Sequence, residues 1–147
     1  MQLQIKRLSL TAIIPQYAHP TDSGLDLHYS GNQVILPADS KRILETGISI
    51  QLPPGTEAQI RSRSGLAAKQ GLVVLNSPGT IDEGYTGEIK VILYNTGSEH
   101  VTINPGDKIA QMVICPVLRP WILEVDELEV TARGDKGFGS TGVHTNE

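Results

Sequence analysis

Apolar and polar residues alternate along three separate stretches of the chain, at 25–29, 48–52 and 89–93. A period of two sends successive side chains to opposite faces of an extended strand, so each stretch is predicted to form a β-strand with one buried face. Gly, Pro and Asn residues punctuate the chain between these stretches, as they do in turns. The pattern therefore predicts an antiparallel sandwich or barrel of short strands.

Two further stretches depart from this alternation. Residues 109–118 are apolar on both faces, which predicts a strand buried on both sides, either inside a sandwich or against another subunit. Residues 64–70 begin with a serine and are followed by Gly71, so they are predicted to form one or two helical turns. The predicted fold class is all-β with one short helix.

The last sixteen residues, 132–147, differ in character from the rest, with four glycines and only three apolar residues. Such a segment buries too little to offset its ordering entropy. Residues 1–131 are therefore predicted to form the folded core and 132–147 a mobile C-terminal arm. Phe138, the only phenylalanine, is either incidental there or closes on a flat ligand. In the second interpretation the arm also supplies donors for an anion, from Arg133, Lys136, Ser140 and Thr141.

Composition and charge narrow the class of protein. The chain has 147 residues, with 12 Lys and Arg against 16 Asp and Glu, for a net charge of −4. An acidic chain of this length is predicted to be one domain and no general nucleic-acid binder, because such binding needs surplus cations. Cys115 is the only cysteine, so neither an intrachain disulfide nor a Cys-based zinc site can form. The apolar stretches are too short for a membrane span and the N-terminus makes a poor signal peptide, which predicts a cytoplasmic protein without a membrane partner.

Two loops carry candidate chemistry. The segment 61–66 places two Arg-Ser pairs at the start of the predicted helix, where unpaired N–H groups and the helix dipole favour an anion. The alternative is an ordinary capped helix with solvated arginines. The segment 80–87 is a hairpin loop with two carboxylates and a tyrosine. Either its Asp and Gly residues serve turn geometry alone, or Asp82 is a general base and Tyr85 a packing surface.

Two residues on predicted strands are also candidates. Asp26 lies on the polar face of the 25–29 strand, where it is either a solvated carboxylate or one associated with Mg²⁺. Gln111 lies within the doubly apolar strand, so it needs hydrogen-bond partners from the neighbouring backbone or from a ligand. On the residues alone, the chain is a β protein that can bind a phosphorylated ligand.

Five segments, taken in order, resemble the five motifs of the trimeric deoxyuridine triphosphate nucleotidohydrolase (dUTPase) family. They are SGLDL at 23–27, RSGLA at 63–67, NSPGTIDEGYTG at 76–87, GDKIAQM at 106–112 and RGDKGFGSTG at 133–142. The resemblance implies a jelly-roll-like homotrimer with three active sites at its subunit interfaces. It also implies that one subunit supplies the first, second and fourth motifs, another the third, and the remaining one the arm.

The same resemblance implies Mg²⁺-dependent hydrolysis of dUTP to dUMP and pyrophosphate, which limits uracil incorporation into DNA and supplies dUMP for thymidylate synthesis. Asp82 matches the water-activating carboxylate, and Asp26 the carboxylate that holds the metal, through water. The matching phosphate ligands are Arg63, Ser64, Gly65 and Gln111. The residues matching the uracil and deoxyribose site are Asn76, Thr80, Ile81, Tyr85 and Lys90. The matching arm residues are Phe138, implied to stack on the uracil, Gly139, and the γ-phosphate ligands Arg133, Ser140 and Thr141.

Two other functions fit the same kind of scaffold. dCTP deaminase shares the fold, but it carries Arg-Ser-Ser where this chain has Arg63-Ser64-Gly65. Its catalytic glutamate falls at Ile92, which cannot transfer a proton. A non-catalytic, nucleotide-responsive regulator is the third possibility. Pyrophosphate release, ammonia release and binding without turnover distinguish the three.

Overall fold

The computed structural model describes residues 1–137, which form ten strands and one short helix. The elements are, in chain order, β1 (Gln4–Arg7), β2 (Leu25–His28), β3 (Val34–Leu36), β4 (Ser40–Gln51), β5 (Thr56–Arg61), α1 (Ser64–Gln70), β6 (Leu72–Val74), β7 (Gly79–Ile81), β8 (Glu88–Asn95), β9 (Val101–Ile103) and β10 (Lys108–Pro116). Residues 117–137 contain neither helix nor strand. The boundary at 131 between core and arm stays a prediction.

The strands form two four-stranded antiparallel sheets and a smaller two-stranded one. The first sheet has the order β1-β4-β8-β6, the second β2-β10-β5-β7, and the third pairs β3 with β9. Apolar side chains from both large sheets form a single core between them. The all-β fold with one short helix is therefore confirmed, and the non-sequential strand orders show that the chain crosses repeatedly between the sheets.

The alternating stretches form the strands predicted for them. In β8, Ile89, Val91 and Leu93 are fully buried while the residues between them are less so, as a period of two requires. Residues 25–28 form β2, and 48–51 form the end of β4. The first half of β4 was not predicted because its exposed residues, which include Ile43, break the alternation. A register shift between Glu45 and Ser49 separates the two halves.

The prediction of the helix is confirmed, whereas the prediction of a strand buried on both faces is only partly met within one chain. Helix α1 spans the predicted residues and ends at Gly71, whose left-handed conformation (φ 66°) closes its last turn. Strand β10 buries only one face within the chain, through residues such as Met112, while Val113 and Cys115 on the other face are half-buried. Burial of that second face against another subunit stays a prediction. No helix in residues 1–137 is long and apolar enough to cross a membrane.

Leu93→Ala tests the core directly. Leu93 is 1% exposed, so its truncation leaves a cavity between the sheets and is expected to lower the free energy of unfolding by about 2–5 kcal/mol. The control is Ile43→Ala on the neighbouring strand β4, where the side chain is 59% exposed, and the expected loss is within about 0.5 kcal/mol. Urea denaturation at one protein concentration measures both. Equal losses would contradict this placement of the core.

Candidate active site

A cleft at one edge of the second large sheet gathers residues from three distant parts of the sequence. It encloses about 340 Å³ between the segment that leads into β2, the start of α1 and the centre of β10. Of the predicted site residues, it is lined by Asp26, Arg63, Ser64, Gly65 and Gln111. The candidates from the first, second and fourth motifs therefore meet in one place. Their roles stay predictions at this point.

Two cations hold the carboxylate of Asp26. Arg63 Nε donates to its Oδ1 over 3.0 Å, and Lys108 Nζ lies 2.7 Å from its Oδ2. Burial acts to raise the pKa of Asp26, but the hydrogen bond from Lys108 and the charge of Arg63 outweigh it and lower the pKa below the ordinary 3.8. Asp26 is therefore ionised at neutral pH, and it offsets cations that would otherwise repel one another.

His28 lies two residues further along β2, beside the same cluster. Burial and the charge of Lys108 lower the pKa of His28 below 6.5, against the opposing effect of Asp26. Its Nδ1 atom is buried without a hydrogen-bond partner among the described residues. A neutral imidazole leaves Arg63 and Lys108 as the cations of this cluster, which with Asp26 carries one net positive charge.

The start of helix α1 forms one wall of the cleft. Arg63 is its N-cap in an extended conformation and makes no side-chain cap. The first intrahelical bond runs from Ala67 N–H to the Arg63 carbonyl, so the N–H groups of Ser64 and Gly65 precede the hydrogen-bonded turn. A Cβ on Gly65 would meet nothing within 4 Å, so the backbone there is open to the cleft.

Gln111 has the backbone partner that its position on β10 required. Its Nε2 donates to the Ser62 carbonyl over 2.9 Å, and its side chain is half-buried rather than fully buried. Gly24 lies against the amide, where any Cβ would overlap Gln111 Oε1. The amide is thus fixed in the cleft wall by close contact on one side and a hydrogen bond on the other. Its second N–H remains able to donate to a ligand.

The loop between β7 and β8, predicted from the sequence as a hairpin loop, carries the other predicted group. Strand β7 pairs only with β5, and β8 pairs with β4 and β6, so among the described residues this loop joins the two large sheets instead of closing a paired hairpin; it keeps the name hairpin below. Asp82 is exposed at the tip, and the N–H of Tyr85 donates to the Asp82 carbonyl over 3.0 Å. Tyr85 Oη donates to the Glu88 carbonyl over 2.9 Å. The ring lies over Gly87, where a Cβ would come within 2.6 Å of Tyr85 Oη. The tyrosine is therefore held across the hairpin with its ring nearly half exposed.

The remaining hairpin candidates lie on or near strands β7 and β8. Thr80 and Ile81 belong to β7, an edge strand whose only partner in the described sheet is β5. Asn76 precedes β7, with its Nδ2 close to Gly79. Lys90 is exposed on β8, and its Nζ lies 3.7 Å from Glu88 Oε2. The structure thus places Asn76, Thr80 and Ile81 at the edge strand β7, whereas Lys90 lies on a strand of the other large sheet.

Cleft and hairpin are not together within one chain. Strands β2 and β7 are the opposite edges of the order β2-β10-β5-β7. Three strand spacings separate them by roughly 14 Å before any offset along the strands is added.

Of the predicted arm residues, Arg133 is exposed, and its Nε donates to the Lys136 carbonyl. Phe138, Gly139, Ser140 and Thr141 lie outside the described residues.

The prediction from sequence missed two contacts of the site. The sequence indicates no role for Lys108 within the fourth motif, although its register opposite His28 brings it to Asp26. In the sequence Glu83 is only the second carboxylate of the hairpin loop, but in the structure its Oε2 accepts hydrogen bonds from Arg119 and from the Gly55 N–H.

Comparison with known proteins identifies the class to which this fold and site belong. The family profile for dUTPase matches residues 11–142. Deoxyuridine 5'-triphosphate nucleotidohydrolase of Crocosphaera subtropica is 57% identical over 97% of this chain and 100% of its own length, and that of Clostridium kluyveri is 55% identical over 97% and 99%. A dUTPase of Staphylococcus bacteriophage 80alpha with dUPNHPP is 32% identical, with a TM-score of 0.88 over 97% of this chain and 99% of that one. The chain belongs to the dUTPase family, and its fold is the jelly roll of these neighbours.

The described residues hold no cluster of three His, Cys, Asp or Glu side chains that could bind a metal ion by themselves. The cleft is lined by two carboxylates: Asp26, which is paired with Arg63 and Lys108, and Asp22, which accepts a hydrogen bond from the His19 N–H. Mg²⁺ is commonly bound through one or two carboxylates together with substrate phosphates. The donor set therefore fits a magnesium ion that arrives with a polyphosphate, with Asp26 as the protein's contribution.

Lys108→Met is expected to raise the pKa of Asp26, because the hydrogen bond and charge that lower it are removed. Titration of the Asp26 carboxyl by NMR measures the change, and Lys41→Met on the exposed face of β4 is the control. Because the pKa of Asp26 is lower in the folded than in the unfolded protein, its ionisation stabilises the folded state at pH values above the unfolded-state pKa. This stabilisation is lost as the pH falls through the folded-state pKa. The decrease in unfolding free energy caused by Lys108→Met is thus largest near pH 7 and disappears in acid. It is expected to be less than about 1 kcal/mol, because Lys108 is 45% exposed and solvent screens its charge. An unchanged Asp26 titration would contradict the contact.

Proposed function

We propose that this protein is a cytoplasmic homotrimeric enzyme that hydrolyses dUTP to dUMP and pyrophosphate with Mg²⁺. The observation that carries the proposal is the cleft in which a helix start, Arg63, Gln111 and Asp26 converge. Relatives at 55–57% identity are named for this activity, and a solved neighbour of the same fold holds the dUTP analogue dUPNHPP. The product dUMP serves thymidylate synthesis, and removal of dUTP limits uracil incorporation into DNA.

The cleft binds the phosphates. The guanidinium of Arg63, the N–H groups of Ser64 and Gly65 and the free N–H of Gln111 are all donors, and phosphate oxygens accept hydrogen bonds from such groups. Because Asp26 pairs with Arg63 in the free protein, the cation is already positioned before the substrate arrives. These donors stabilise the charge that develops on the phosphate oxygens as the reaction proceeds.

Asp82 is the proposed general base. It orients a water molecule toward the α-phosphorus and accepts a proton from it as the oxygen–phosphorus bond forms. The bond from the α-phosphorus to the bridging oxygen breaks, and pyrophosphate leaves. Exposure of Asp82 at the hairpin tip, beyond the end of β7, lets it reach a substrate held by another surface.

The β7 edge is proposed to select the base and the sugar. An edge strand has unpaired N–H and C=O groups, and uracil presents a matching donor and acceptors, whereas cytosine presents an amine where uracil has an acceptor. Thr80 and Ile81 supply that backbone, with Asn76 beside it, and Lys90 on β8 is the further residue proposed to contact the base. The ring of Tyr85, fixed over Gly87, lies against the deoxyribose and leaves no room for a 2′-hydroxyl.

Magnesium is proposed as the cofactor, bound with the substrate. When bound, the ion neutralises phosphate charge and favours departure of pyrophosphate. Asp26 would hold it, through its water shell. A solved neighbour, the dUTPase of phage phi11 of S. aureus, is described with a structural Mg(II) ion, at 29% identity and a TM-score of 0.81 over 88% of this chain.

The homotrimer is supported by two features of the chain. The hairpin and the cleft lie at opposite edges of one sheet, so a complete site requires a hairpin from another subunit. The segment 118–130 is also rich in exposed apolar side chains. The most exposed of them are Leu118, Trp121, Ile122, Leu128 and Val130, each at least 84% exposed. Contiguous exposed apolar residues of this kind mark contact surfaces.

The arm is proposed to complete the site over bound nucleotide. Phe138 would stack on the uracil beside Gly139, and Arg133, Ser140 and Thr141 would bind the γ-phosphate. In this arrangement the arm excludes water other than the nucleophile. The arm comes from the subunit that contributes neither the cleft nor the hairpin.

The activity is tested by pyrophosphate release from dUTP, dCTP, dTTP and UTP, each with and without Mg²⁺. We expect release from dUTP with Mg²⁺ far above the other seven conditions. Ammonia release from dCTP would instead identify a deaminase. Tight binding of dUTP with no product of either kind would identify a nucleotide-responsive regulator.

Asp82→Asn is expected to fold, assemble and bind dUTP but to lose turnover by ~10²–10⁴-fold, because the amide has the same shape and cannot accept the proton. Steady-state kinetics measure the loss, and binding of a non-hydrolysable dUTP analogue shows that the site is intact. Turnover within threefold of the parent would remove Asp82 from the role of base.

Subunit sharing is tested by mixing two inactive variants, Asp82→Asn and Arg63→Ala, after dissociation and reassembly. Half of the clefts and half of the hairpins are then intact, so about a quarter of the sites combine both and activity returns. Each variant reassembled alone is the control. Absence of recovery, with mixed trimers shown by mass spectrometry, would mean that each chain uses its own hairpin.

A further inference from the structure

The hairpin tip that carries Asp82 is tied to the body of the protein by the neighbouring residue, Glu83. Glu83 Oε2 accepts the N–H of Gly55 over 3.1 Å and the Arg119 Nη2–H over 3.0 Å. Gly55 is the turn between β4 and β5, and Arg119 follows the end of β10. One carboxylate thus joins three parts of the chain.

The other contacts of the tip lie within the hairpin itself. The Tyr85 N–H bonds to the Asp82 carbonyl, and Tyr85 Oη bonds to the Glu88 carbonyl. Within residues 1–137 the Asp82 side chain forms no hydrogen bond or ion pair. These contacts shape the tip but do not fix its direction relative to the sheets. Glu83 supplies that constraint.

The anchor of Glu83 is itself rigid. The Gly55 carbonyl accepts the Val117 N–H over 2.9 Å, just beyond the paired residues Pro116 and Thr56 at the end of β10. The Gly55 N–H that meets Glu83 therefore belongs to a turn fastened to the sheet. Arg119, two residues beyond Val117, approaches the same carboxylate from the other side.

We infer that Glu83 is a positioning residue that sets the place of Asp82 through Gly55 and Arg119. The inference rests on the proposed role of Asp82 as base. It concerns only the tip, because β7 is separately held by its register with β5, in which Ile81 pairs with Ala58 and Thr80 with Gln59. Loss of Glu83 therefore displaces the base while the nucleotide-selecting strand stays in place.

This division predicts a kinetic signature. Glu83→Ala is expected to lower kcat by about 10- to 100-fold, the effect of misplacing a catalytic group by about an ångström, with KM for dUTP within twofold of the parent. Glu83→Gln keeps an oxygen for the Gly55 N–H and is expected to recover most of the lost kcat. Arg119→Met lowers kcat less than Glu83→Ala and adds nothing in the double variant.

Glu99→Ala, at an exposed glutamate between β8 and β9, is the matched control and is expected to retain the parental kcat and melting temperature. Hydrogen exchange of a peptide spanning 82–88 gives a readout independent of activity. We expect faster exchange in Glu83→Ala than in the control. A parental kcat in Glu83→Ala, or a loss of kcat matched by a lowered melting temperature and raised KM, would overturn the inference.

The test separates this inference from the proposed function. Turnover lost in Asp82→Asn but kept in Glu83→Ala rejects the positioning role and leaves the base in place. Turnover kept in Asp82→Asn rejects the base, and with it the catalytic meaning of Glu83. Loss in both, with the KM of Glu83→Ala unchanged and rescue by Glu83→Gln, supports both.

Discussion

The pairing of strand β10 with β2 on one side and β5 on the other is the constraint on which the cleft depends. Gln111 stands opposite Asp26 in one ladder and opposite Arg61 in the other. Because β5 leads within two residues to Arg63 and α1, this register brings the carboxylate, the amide and the helix start to one edge. A shift of one residue in β10 would turn Gln111 into the core and Met112 out of it.

The same sheet also determines what one chain cannot do. A four-stranded sheet keeps its two edge strands apart, so β2 and β7 do not meet while β10 and β5 stay paired between them. This separation is the reason why the proposed nucleotide site takes its cleft and its hairpin from different copies of the chain. The exposed apolar segment after β10 provides surface through which copies can associate. In the proposed trimer, association would complete the site as well as cover that surface.

Much of this arrangement could be predicted from the sequence, for a physical reason. Alternation in β8 and β2 reports burial on one face, and the stop at Gly71 reports a helix end, since both are local properties. Strands β3, β6, β7 and β9 have three residues each, too few for a period to be seen. Their existence depends on partners distant in sequence.

For the candidate site, too, some features could be predicted from the sequence and others depend on the fold. Candidate residues could be found because five segments match a family, and three of those segments do meet. The partners of Asp26 and Glu83 could not be assigned, because Lys108 and Arg119 reach them only through strand register and a turn. An exposed lysine or arginine has many possible partners in a sequence, and only the fold selects one.

The cations of the cleft offset the net negative charge of the chain where a phosphorylated ligand would bind. A protein of net charge −4 repels a polyphosphate at long range, so binding depends on local cations held close together. Two such cations repel each other unless a carboxylate lies between them, which is the place of Asp26 between Arg63 and Lys108. A protonated His28 would be a third cation and would increase that repulsion. Burial instead lowers the pKa of His28, which favours the neutral imidazole. The cluster thus keeps a single net positive charge facing the ligand, with one carboxylate still able to meet the metal that a polyphosphate brings.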